Sequence, residues 1–86
     1  MSDFTQLVKE FKLSVNNPLI KDAVKQPFEE LWVEQSIPFN GPKAHDKFRK
    51  RLRHLTKFCD NKEVLKAYNT IWTTYNAVMD YMYVHF

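Results

Sequence analysis

Apolar residues recur at helical spacing in four stretches of the chain. Phe4, Leu7, Val8, Phe11 and Val15 fall where one face of an α-helix would collect them. The pattern predicts a first helix over about 3–15, with Ser2 or Asp3 as its cap. Ile20, Val24, Phe28 and Leu31 repeat it over 18–34. Here Asn17 reads as the N-cap and Pro18 as the first helical residue. Pro27 lies inside this second segment. Proline removes one backbone bond and crowds the preceding turn, so a kink or break is expected there. The stretch Ser36-Ile37-Pro38-Phe39-Asn40-Gly41-Pro42 reads as a loop. Asn40-Gly41 is a turn signal, and Gly41 is expected to hold a positive φ.

From Lys43 to Phe86 there is neither glycine nor proline. A third helix is expected over 42–59, opened by Pro42. On a helical wheel its apolar residues Ala44, Phe48, Leu52, Leu55 and Cys59 occupy an arc of about 80°. A fourth is expected over 61–84, capped by Asp60, with Glu63 completing a capping box. Val64, Tyr68, Ile71, Tyr75, Val78 and Met82 form its main stripe, and Leu65, Trp72, Met79 and Phe86 recur at sevens beside it. Residues 70–75 and 81–84 are rich in β-formers, but Asn76-Ala77 is a poor hairpin turn, so helix is favoured. The fold expected is all-α: a compact antiparallel bundle of four helical segments forming one domain over residues 1–86.

The length of 86 residues suits one domain, with a thin core. Seven Phe, four Tyr and two Trp offset that thinness, because each ring buries a large area. Cys59 is the only cysteine, which excludes an intramolecular disulfide and argues against a secreted, disulfide-built miniprotein. The first residues show neither a basic nor an apolar signal region, and apolar runs are too short to span a bilayer. A cytoplasmic setting without membrane contact is therefore expected.

Charge changes the picture most. Residues 1–42 hold four Lys and six acids, and residues 58–86 hold two Lys and three acids. Residues 43–57 hold seven Lys or Arg and one acid. The excess positive charge of the chain thus sits on the third helix. Lys43, Lys47, Arg49, Lys50, Arg53, His54 and Lys57 lie opposite its apolar arc, and Arg51 lies at the arc's edge beside Phe58. A solvated helix ordinarily alternates signs at i,i+4, where like charges cost a few tenths of a kcal/mol. Lys43 with Lys47 and Arg49 with Arg53 do the reverse. A polyanionic partner explains this face, and nucleic-acid phosphate is the commonest such partner. Glu29, Glu30 and Glu34 of the second segment offer a competing explanation, neutralisation within the fold.

No nucleophile elbow, phosphate-binding loop, dinucleotide fingerprint or zinc-protease motif occurs. No enzyme activity, metal or cofactor is expected. His45, His54 and His85 do not pair at i,i+4 and are expected to be surface or satisfied polar groups. Cys59 continues the apolar stripe as a small hydrophobe. Phe39, in a proline-stiffened loop, is a candidate partner contact. A fourth helix of about 25 residues would be roughly 37 Å long, against a diameter of roughly 30 Å for a round domain of this size. Its apolar end then needs a cover: a bend, the first helix, or a homodimer through Tyr81, Tyr83 and Phe86. Two functions follow. The leading one is a non-catalytic nucleic-acid-binding or regulatory protein that docks residues 43–57 on phosphates. The alternative is a protein-interaction module, an inhibitor of antitoxin-like, immunity-like or anti-host type. It would grip an acidic or nucleic-acid-binding surface of a partner protein.

Overall fold

A computed structural model describes residues 3–31 and 41–85. It contains four helices, α1 (Asp3–Val15), α2 (Lys21–Glu30), α3 (Pro42–Lys57) and α4 (Lys62–His85), and no strand among the described residues. The architecture is an all-α compact bundle. One aromatic ring from each helix meets at its centre. The Phe11 ring lies 5.1 Å from Phe28, 5.7 Å from Phe48 and 5.7 Å from Tyr75. Phe48 and Tyr75 stand 5.1 Å apart. Such pairs contribute about 0.5–1.5 kcal/mol each beyond their buried area. Val15, Ile20, Val24, Leu31, Leu52, Ala67, Tyr68, Ile71 and Val78 complete the buried core. The main apolar stripe of each helix therefore packs inward, and from the second stripe of α4 Trp72 and Met79 join the core. In α3, Phe48 and Leu52 are buried, with Ala44, Leu55 and Cys59 packed against them.

Neighbouring helices run antiparallel. Phe4 at the start of α1 meets Tyr81 near the end of α4, with centroids 5.4 Å apart. Ser14 at the end of α1 meets Thr74 at 2.9 Å. Between α2 and α3, Ala23 meets Arg51 and Glu30 meets Lys47. The molecule measures 37 × 26 × 20 Å. With 24 residues, α4 is about 36 Å long, comparable to the long dimension of the molecule. The bundle is elongated rather than round, and α1 shelters Tyr81 by way of Phe4. Tyr83 and Val84 remain exposed, while Phe86 lies outside the described residues.

Several local expectations are corrected. The second helix begins at Lys21, not Pro18. Asn17 instead builds a turn: its side-chain oxygen accepts from the Leu19 N–H at 3.0 Å and its carbonyl from Lys21 at 2.9 Å. Of the kink or break expected at Pro27, the break does not occur: α2 continues through it. Pro27 offers no N–H to the carbonyl of Ala23, and Arg51 Nε donates to that carbonyl from α3 at 3.4 Å. Residues 32–34 of the predicted segment lie outside the described residues. Gly41 has φ −71° and ψ −174°, an ordinary extended conformation and not a positive φ. Pro42 imposes it, because its ring pushes the preceding residue into extended geometry. Helix α3 ends at Lys57 rather than 59, with Phe58 as its C-cap. Asn61, not Asp60, caps α4: its side-chain oxygen accepts from Glu63 at 2.9 Å and Val64 at 3.2 Å. That satisfies two of the orphan N–H groups of the first turn.

Candidate nucleic-acid interface

Helix α3 is anchored by one face and lined by cations on the others. Phe48 and Leu52 enter the core, and His45 joins them, 8% exposed. The flanks are fixed by neighbouring helices. On the α2 side, Arg51 is held on the Ala23 carbonyl, and Lys47 pairs with Glu30 at 2.8 Å. On the α4 side, Arg49 donates to the Tyr75 hydroxyl at 3.4 Å, and His45 Nδ1 lies 2.9 Å from the same oxygen. A guanidinium can only donate, so the phenol oxygen accepts from Arg49. Burial pushes the Tyr75 phenol up from the ordinary tyrosine range, and Arg49 opposes the shift. Tyr75 thus couples the aromatic centre of the core to the root of the basic face.

The outward face carries Lys43, Lys50, Arg53, His54 and Lys57, all exposed except where they touch one another or a neighbour. Lys50 pairs with Asp46 at 2.9 Å, one turn back on the same helix. That hydrogen bond holds the Asp46 carboxyl below the usual carboxylate range, and the charges of Lys50, Arg49 and Arg53 add to the effect. Both members are largely exposed, and exposed pairs of this kind contribute little and exchange readily. Among the described residues, no acid lies within ion-pair distance of Lys43, Arg53 or Lys57. Lys43, Lys50 and Lys57 are spaced by seven, so they form a line about 21 Å long. Seven Lys or Arg against Asp46 and Glu30 leave this face with a net charge of +5.

The predicted cations therefore share one surface but not one role. Lys47 and Lys50 meet acids, Arg49 is tied to Tyr75, and Lys43, Arg53 and Lys57 face solvent. The rival explanation by Glu29, Glu30 and Glu34 holds in part: Glu30 neutralises one lysine, and Glu34 lies outside the described residues. So does Phe39, the candidate partner contact. Of the two places expected for His45, surface or satisfied polar group, it takes the second, buried and bonded to Tyr75. Sequence reasoning missed the exposed Phe58, which ends α3 with its ring 4.7 Å from His54. Among the described residues no three of His, Cys, Asp and Glu converge as metal ligands. None of their helices is long and apolar enough to cross a membrane. No protein-family model, curated protein or solved structure matches the chain.

Proposed function

We propose that this chain is a non-catalytic polyanion-binding protein that lays α3 along the phosphates of a nucleic acid. The observation that carries this reading is the line of cations on the outer face of α3, of which Lys43, Arg53 and Lys57 have no acid within ion-pair distance among the described residues. Like charges gathered on one rigid helix cost the folded chain free energy, and a phosphate backbone offsets that cost by releasing its counterions. Phosphates spaced a few ångströms along a strand give a line of about 21 Å several contacts at once. The anchoring of Arg49 and Arg51 to neighbouring helices supports the same reading, because fixed cations lose less conformational freedom on binding.

A second reading draws on the Lys47–Glu30 pair, which places a carboxylate 2.8 Å from this face. An acidic protein surface would meet the same cations, as the docking site of an inhibitory module. Affinity capture from a lysate, with and without nuclease, separates the two. Under the nucleic-acid reading the captured material disappears on nuclease treatment. A stoichiometric protein that survives nuclease would instead establish the second.

A further inference from the structure

The basic face ends on an aromatic ring that the core does not use. Phe58 is the C-cap of α3 and is 68% exposed. It is absent from the apolar residues packed against the core. Its surroundings are cationic or polar. The His54 ring leans on it at 4.7 Å with an interplanar angle of 54°. The Lys57 ammonium sits 5.6 Å from its centroid. The fold gains little from a large ring left in water at a helix end, where Lys57 already complements the helix dipole.

We propose that Phe58 is a base-stacking platform, and that the nucleic acid bound by α3 is single-stranded. The inference rests on the polyanion reading above and names its ligand class. In a duplex the base faces are covered by their neighbours and only the edges are open. An unpaired strand offers free faces, and an exposed aromatic beside phosphate-binding cations is the arrangement that captures them. Lys57 and Arg53 would hold the phosphates flanking the stacked base, and His54 would brace the ring. Lys43 and Lys50 would guide the strand along the helix. Stacking is indifferent to base identity, so little sequence preference is expected.

The test compares a thymidine 12-mer with a blunt 12-base-pair duplex by fluorescence anisotropy at low salt. Wild type, Phe58→Ala, Phe58→Leu and Phe58→Trp are titrated, and thermal melting confirms that each is folded. Wild type should prefer the single strand. Phe58→Ala and Phe58→Leu should lose roughly 5- to 150-fold in affinity for it, the range one stacked base supplies, and change less than twofold on the duplex. Phe58→Trp should bind the single strand at least as well as wild type. Leucine keeps an apolar side chain without a π face, so its loss separates stacking from greasy contact. The stacking inference alone is overturned if the variants match wild type on both probes, or lose equally on both. If wild type binds neither probe, the polyanion reading falls and the stacking inference with it.

Discussion

Arg51 compensates for Pro27. The proline leaves the Ala23 carbonyl without its helical donor, and Arg51 Nε of α3 supplies one at 3.4 Å. A residue that would ordinarily interrupt α2 becomes a point of attachment between two helices. Arg51→Ala should therefore destabilise the protein by about 0.5–1 kcal/mol, the range of an ordinary hydrogen bond, because this one is long and exposed. In a Pro27→Ala background the restored N–H takes over that carbonyl, and the same truncation should cost much less. Urea denaturation of the double-mutant cycle measures the coupling. Equal effects of Arg51→Ala in both backgrounds would show that the arginine acts elsewhere.

Gly41 holds no special conformation, and a Cβ built there meets nothing within 4 Å. It occupies the N-cap of α3 without any side-chain cap. Gly41→Ser should therefore stabilise the fold by about 0.5–1 kcal/mol, through a hydroxyl cap and a less flexible unfolded chain. A raised melting temperature confirms this, and a lowered one would mean residue 41 needs glycine after all.

The Tyr75 phenol is neutral, hydrogen-bonded and pushed up by burial. A group whose folded pKa exceeds its unfolded value gives stability that is full below the unfolded pKa. That stability is lost as pH rises through the folded one. Stability should thus decline above about pH 10. Tyr75→Phe should be less stable at neutral pH by about 1–2 kcal/mol, because His45 and Arg49 each lose a buried or half-buried partner. Its alkaline decline should be shallower, though not abolished, since burial also raises the Tyr68 phenol. Chemical denaturation at several pH values checks both. An alkaline slope unchanged in Tyr75→Phe would refute the linkage.

Helical spacing made the fold legible, because the residues that recur at three and four are the ones that had to be buried. Helix ends were less legible. Asp60 and Asn61 are both capable caps, and which one serves depends on where α3 releases the chain. At Gly41 two local rules competed, and the restriction imposed by Pro42 prevailed over the Asn-Gly turn signal. At the basic helix, charge counting found the surface but not its internal partners, since Glu30 reaches Lys47 only through the packing of α2 on α3. For His45 spacing left two places open, surface or satisfied polar group, and its wheel position beside Leu52 corresponds to the buried one. Phe58 sat one step off the apolar stripe, where only the structure distinguishes a core ring from an exposed one.

The central claim is that α3 binds phosphate through the cations of its outward face, and salt dependence tests it most directly. The affinity for a thymidine oligonucleotide should be measured from 50 to 300 mM salt. With about four phosphates engaged by Lys43, Lys50, Arg53 and Lys57, log affinity should fall against log salt with a slope of about −3, at roughly 0.7 per contact on a single strand. Lys43→Ala or Lys57→Ala should each reduce that slope by about 0.7 without changing the melting temperature. A complex insensitive to salt, slopes unmoved by these substitutions, or no binding at the lowest salt would contradict the account.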